Sequence, residues 1–254
     1  MMLGIANLSF GGLISSADYT YSWSEFFTST RPSTTGLTYG AGQLLGPDVL
    51  DFATGLQFSS VSGGTTPSDF VDGKMVLDID AADGQGLKGL SISERGTYAF
   101  GLGGTSPTTG AQVQFIGATL NITEINNIPV STIPDFPLTM NFVIPAPTQA
   151  GSKTFIKGAP GVLDADNWAG NLSFDLTHVL DNTPYQGQMI TGAKLIFDNQ
   201  LSTVAGGSAF SFIDKKDLRI GVIPAVTVPE PSSFALLGMG ALLFILLPKR
   251  RRSA

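Results

Sequence analysis

Apolar side chains recur at every second position along most of this chain, and that period constrains the fold more than any other feature. Tyr19, Tyr21 and Trp23 share one phase, while Thr20, Ser22 and Ser24 take the other. The same alternation runs through Met75, Leu77 and Ile79 and through Leu138, Met140, Phe142 and Ile144. It returns in Leu172, Phe174 and Leu176, and again in Leu218, Ile220 and Val222. Successive side chains of a strand face opposite ways, so each segment reads as a half-buried β-strand. Between them lie GPD, SGGTTPSD, DGQG, GLGGTSPTTG and AGGS, whose residues suit turns and loops. No window before residue 228 combines a helical apolar stripe with caps. These patterns predict an all-β fold, an antiparallel β-sandwich of jelly-roll type, as one domain over residues 18–222. The Pro-heavy stretch IPDFPLTMNFVIPAPTQAG is expected at a sheet edge with a long loop, because Pro removes a ladder donor.

Composition excludes several kinds of chemistry. With no Cys, disulfides, thiolate nucleophiles and thiolate metal sites are ruled out, and stability must come from core burial. The single His, His178, removes paired-His zinc sites and leaves little room for a Ser-His-Asp triad. It lies in FDLTHVL and is expected on a strand with a satisfied hydrogen bond. Net charge is −6; without residues 228–254 the body keeps 10 basic residues against 19 acids, or −9. Such a surface repels nucleic acid, so no nucleic-acid partner is expected.

Each remaining motif has a plainer reading beside the chemical one. Gly84-Gln85-Gly86-Leu87-Lys88-Gly89 has the GxGxxG spacing of a dinucleotide site, which requires a helix immediately after it. The next segment, GLSISERGTYAF, alternates like a strand, so a glycine-rich hairpin loop is predicted and no cofactor is implied. Asp78, Asp80 and Asp83 form one calcium candidate, and Asp164 and Asp166 with Asn167 form another. Neither completes an EF-hand register, and turn acids with Asx-type hydrogen bonds are the simpler reading. No G-x-S-x-G nucleophile elbow occurs. Tyr19, Tyr21 and Trp23 read as core, whereas Trp168, in the Asp/Asn/Gly-rich loop DADNWAGN, is a glycan-contact candidate if exposed, with partial burial against a strand end as the commoner reading.

The two ends of the chain carry targeting features. MMLGIANLSFGGLISSA, residues 1–17, has an apolar run and a small-x-small site at Ser15 and Ala17, as a signal peptide does. Its positively charged start is missing, since no Lys or Arg precedes Arg31, so a truncated signal is expected, with an upstream start codon or a buried first strand as the other readings. At the other end, residues 223–227 form a linker into VPEPSSFALLGMGALLFILLPKRRRSA, residues 228–254. Residues 232–247 are uncharged and apolar, enough for a helix of about 24 Å. Pro229 and Pro231 bound that transmembrane helix on one side, and Lys249, Arg250, Arg251 and Arg252 on the other. The basic cluster places that side in the cytoplasm and the body across the membrane.

Pro229-Glu230-Pro231, an apolar helix and a terminal basic cluster, in that order, resemble the PEP-CTERM sorting signal of exopolysaccharide-producing bacteria. The resemblance implies an exosortase as partner, transient anchoring in the inner membrane, cleavage near the tripeptide, and delivery to the cell surface or biofilm matrix. Pro248, between helix and basic cluster, departs from the pattern. Residues 195–222 are also similar to closing segments of PEP-CTERM ectodomains, through Asp198, Asn199, Asp214, Lys215 and Lys216, which implies a packing role there. The leading expectation is a non-enzymatic surface or matrix protein in an exopolysaccharide coat. A carbohydrate-binding module with an exposed aromatic platform is the alternative. A polysaccharide hydrolase, which needs two acids converging in a cleft, is the third.

Overall fold

A computed structural model describes residues 8–29, 39–52, 58–101, 109–158, 163–206 and 209–225. The tail with Pro229, Glu230, Pro231, the apolar stretch 232–247 and the basic cluster lies outside the described residues, as do residues 1–7. Every regular element among the described residues is a strand. The first six are β1 (Leu8–Ser15), β2 (Tyr19–Ser29), β3 (Gln43–Leu44), β4 (Val49–Asp51), β5 (Phe58–Gly63) and β6 (Ser68–Ala81). Next come β7 (Leu87–Phe100), β8 (Gly110–Ile125), β9 (Ile128–Pro129), β10 (Phe136–Pro137), β11 (Asn141–Ile144) and β12 (Gln149–Ala150). The last four are β13 (Ser152–Ile156), β14 (Asp164–Asp175), β15 (Ile190–Val204) and β16 (Phe210–Pro224).

These strands form two antiparallel sheets. One runs β1-β2-β6-β15-β8-β10, with β13 and β9 also paired to β8. The other runs β12-β11-β14-β7-β16-β4-β3, with β5 also paired to β16. The chain passes from sheet to sheet: β5, β7, β14 and β16 lie in the second, and β6, β8 and β15 in the first. Residues 82–86 therefore bridge the two sheets, and do not turn a hairpin within one. Gly84 in this crossing has φ +81°, a left-handed conformation that glycine adopts at no steric cost. Strand β7 begins at Leu87, so the GxGxxG spacing opens onto a strand and lacks the helix a dinucleotide would need.

The alternation seen in the sequence becomes the core. Leu77 on β6 lies opposite Leu195 on β15, and Leu195 opposite Leu120 on β8; all three are buried. In the facing sheet Ile220 on β16 pairs with Ile92 on β7, and Ile92 with Leu172 on β14, again all buried. Aromatic rings cross the interface: Phe27 on β2 meets Phe58 on β5, and Tyr98 on β7 stacks on Phe155 on β13 with centroids 4.2 Å apart. Gly73 faces inward on β6 where a Cβ would meet the Phe27 ring at 2.6 Å and the Phe58 ring at 2.7 Å. Its missing side chain is the space those rings occupy. Among the described residues, strand β1 pairs with β2 alone, at the end of the first sheet. The Pro-heavy segment breaks into β10, β11 and β12, all at sheet margins.

Candidate functional site

The aromatic candidates lie inside the protein. Tyr19, Tyr21 and Trp23 point into the core, and the Tyr19 hydroxyl donates to the Gly86 carbonyl at 3.0 Å. Burial lifts the Tyr19 phenol to about 12, with the negative charges of Asp48 and Asp18 adding to it. Trp168 lies on strand β14, opposite Gly96 on β7, and is only 1% exposed. Its indole Nε1 donates to the Asp214 carbonyl at 3.0 Å, and its ring meets Phe142 edge-on. The ring fits because Gly96 has no side chain; a Cβ there would lie 2.5 Å from the indole. The loop assignment for Trp168 is therefore corrected to a buried strand residue, and it presents no stacking face to solvent.

The acidic candidates are spread over both sheets. Asp78 on β6 pairs with Lys194 directly across on β15, Oδ1 to Nζ 3.2 Å. Burial raises the Asp80 carboxyl above its usual range, helped by the charges of Glu124 and Asp78 and opposed by Lys194. Asp83 accepts from Asn127 Nδ2 at 3.1 Å. On β14, Asp164 accepts from the Gly158 amide at 3.3 Å and Asp166 from the Asn167 amide at 2.7 Å. Among the described residues no three His, Asp or Glu side chains converge in a way that could hold a metal ion. His178 is in a turn and not on a strand, exposed, with Nδ1 2.9 Å from Asp181 Oδ2. The turn comes after β14 because the chain must leave the second sheet there before entering β15.

A third group, which the sequence patterns do not assemble, is a polar knot in the middle of the core. Glu94 on β7 and Lys215 on β16 have fully buried side chains, with Nζ 2.6 Å from Glu94 Oε1. Asn199 on β15, from the opposite sheet, donates from Nδ2 to the same Oε1 at 2.8 Å and to the Tyr39 hydroxyl at 3.1 Å. Tyr39 donates in turn to the Gly73 carbonyl at 3.0 Å. The ammonium also lies over the rings of Tyr39 and Phe58, 5.8 and 5.5 Å from their centroids. Burial pulls the Lys215 amine down to about 8, against the opposing pull of Glu94. Burial and the Glu94 charge push the Tyr39 phenol well up. Glu94 Oε2 and Asn199 Oδ1 are buried with no hydrogen-bond partner.

The closing segment thus divides by face. Asn199 and Lys215 point inward, whereas Asp214 accepts from the Thr97 amide and hydroxyl, and Lys216 extends outward. A register shift between Lys215 and Asp217 moves the inward phase by one residue, so Lys215 and Leu218 both face the core. One signal for this knot is present in the sequence: Glu94 occupies the inward phase of Leu90, Ile92, Tyr98 and Phe100.

Comparison with known proteins places one feature. Residues 227–252 match the family model of the PEP-CTERM protein-sorting motif. The match is to the tail and does not extend into the two-sheet body. No curated protein matches the chain.

Proposed function

We propose that the chain is an exported bacterial surface or extracellular-matrix protein, without catalytic activity, that an exosortase processes at its tail. The observation that carries this reading is the PEP-CTERM protein-sorting motif at residues 227–252. Pro229 and Pro231 are residue types that disfavour helix around Glu230, which suits the extended form that proteases bind. Residues 232–247 then serve as a transient transmembrane helix, and Lys249, Arg250, Arg251 and Arg252 hold its end in the cytoplasm. Residues 1–17 act as the export signal. Strand β1 is an edge strand, so its removal leaves β2 as the new edge and interrupts no interior pairing.

The delivered body is a jelly-roll sandwich. The order β5-β16-β7-β14 in one sheet and β6-β15-β8-β13 in the other supports this reading. The buried positions of Trp168, Tyr19, Tyr21 and Trp23 favour a structural role in the coat over glycan binding through an aromatic platform. Fractionation of cells with and without the exosortase tests the reading. With the enzyme the body should leave the inner membrane for the surface or medium, and without it the body should stay in the membrane fraction. Equal distribution in both strains would refute it.

A further inference from the structure

The knot of Glu94, Lys215 and Asn199 brings together a primary amine, a carboxamide and a carboxyl in the closed interior of the sandwich. An ion pair this deep contributes little to stability, because desolvation offsets the attraction. The Lys215 and Asn199 nitrogens meet the same Glu94 oxygen, at 2.6 and 2.8 Å. The Asn199 carbonyl oxygen and Glu94 Oε2 are both buried without a hydrogen-bond partner, so neither is committed to another contact. The three groups come from β16, β15 and β7, so both sheets must be assembled before they meet. We propose that Lys215 and Asn199 become joined through a self-formed isopeptide bond, with Glu94 as the proton-transfer group.

The steps balance without any added reagent. Lys215 Nζ first passes a proton to Glu94 Oε1. The freed lone pair attacks Asn199 Cγ, the new C–N bond forms, and the carbonyl π pair moves onto Oδ1. Glu94 gives its proton to Nδ2 and takes one from the attacking nitrogen. The pair on Oδ1 re-forms the carbonyl, the Cγ–Nδ2 bond breaks, and ammonia leaves. The product is a secondary amide between the two side chains beside a neutral Glu94. Burial lowers the proton affinity of the Lys215 amine to about 8, which favours the first transfer. A neutral acid and a neutral amide then replace a buried ion pair, which removes its desolvation cost. The bond ties β15 in one sheet to β16 in the other, a covalent link in a chain with no Cys.

Trypsin digestion of the denatured full-length chain tests this. No Lys or Arg lies between Lys194 and Lys215, so Asn199 and Lys215 fall in one tryptic segment. The bond predicts a peptide spanning residues 195–216, uncleaved after Lys215, lighter than its sequence by one ammonia, and silent to fragmentation between residues 199 and 215. Glu94→Gln, nearly isosteric, and Lys215→Met should both restore the full mass, with folding checked by circular dichroism. Cleavage after Lys215 at unaltered mass in the wild-type chain would overturn the proposal, as would a heavier, deamidated Asn199. A cross-link that persists in a folded Glu94→Gln chain would overturn the role of Glu94. If neither variant folds, the wild-type peptide alone decides whether the bond exists.

Discussion

Replacing Gly96 with Ala should destabilise the body sharply. Gly96 sits mid-strand on β7, opposite Trp168 on β14 and Lys215 on β16. A Cβ there would come within 1.9 Å of the Asp214 carbonyl oxygen and 2.5 Å of the indole Cε2 and Nε1. The first contact is with backbone, which cannot rotate aside, so the strands must part or the ring must leave. Overpacking of this kind costs about 1–3 kcal/mol. The Asp214 carbonyl also accepts the Trp168 Nε1–H bond, and losing a buried bond of that sort costs about 1–3 kcal/mol more. Ala is better than Gly in a strand by roughly 0.5–1 kcal/mol, which offsets only part of this. The net loss is about 1–5 kcal/mol, which for a domain of this size lowers the melting midpoint by roughly 2–20 °C. Thermal melting by circular dichroism measures it, and tryptophan fluorescence should shift to the red as the indole loses its enclosure. Gly158→Ala is the control: its nearest neighbour is Asp164 Oδ2 at 3.7 Å, and a change within about 0.5 kcal/mol is expected. If Gly96→Ala melts within about 2 °C of wild type, the packing of Trp168 against β7 is wrong.

The acids give two more expected outcomes. Burial, then a shared hydrogen bond and the charge of Asp72, raise the Asp198 carboxyl from 3.8 to about 7, against the opposing effects of Lys74 and the Asn199 backbone. Because the folded state holds this proton more tightly than the unfolded chain, the contribution to stability is fullest below 3.8 and declines until about pH 7. Asp198→Asn should flatten that decline and melt a few degrees above wild type at alkaline pH, which a series of melts across the window checks. Calcium should change the melting midpoint by no more than about 2 °C relative to a chelator, since among the described residues neither Asp78, Asp80 and Asp83 nor Asp164 and Asp166 converge as a group that could hold a metal ion. A shift of many degrees would mean that these acids hold a cation.

Strand identity is legible at Met75, Leu77 and Ile79, which are interior positions of β6. The same period at Leu138, Met140, Phe142 and Ile144 yields only the short β11, with Leu138 and Met140 before it and Ile144 exposed. Local composition misleads in two places, in opposite directions. Asp, Asn and Gly around Trp168 look like a loop, yet those residues pair in register with β7, and a partner glycine across the sheet makes room for the indole. Leu176, Val179 and Leu180 around His178 look like a strand, yet the chain turns there. Which residues share an outward or inward phase is local information; which sheet a strand joins depends on contacts far along the chain. That is why the crossing at residues 82–86 reads as a hairpin loop in sequence. The knot is hidden for a related reason: the register shift at Lys215 is invisible until β16 is laid against β7. Asn199 and Lys215 stand out in the sequence by resemblance alone, and only the fold brings them to Glu94.

Processing at the tripeptide is the central claim, and the C-terminus of the mature protein tests it most directly. Intact-mass analysis of the surface-exposed or released protein, from cells with a working exosortase, should show chains ending near Pro229-Glu230-Pro231 and lacking residues 232–254. Replacing Pro229, Glu230 and Pro231 with Ala should leave membrane insertion intact, because the apolar stretch and basic cluster remain, and should block release. Full-length chains ending at Ala254 on the surface of exosortase-competent cells would contradict the claim and make the tail a permanent anchor.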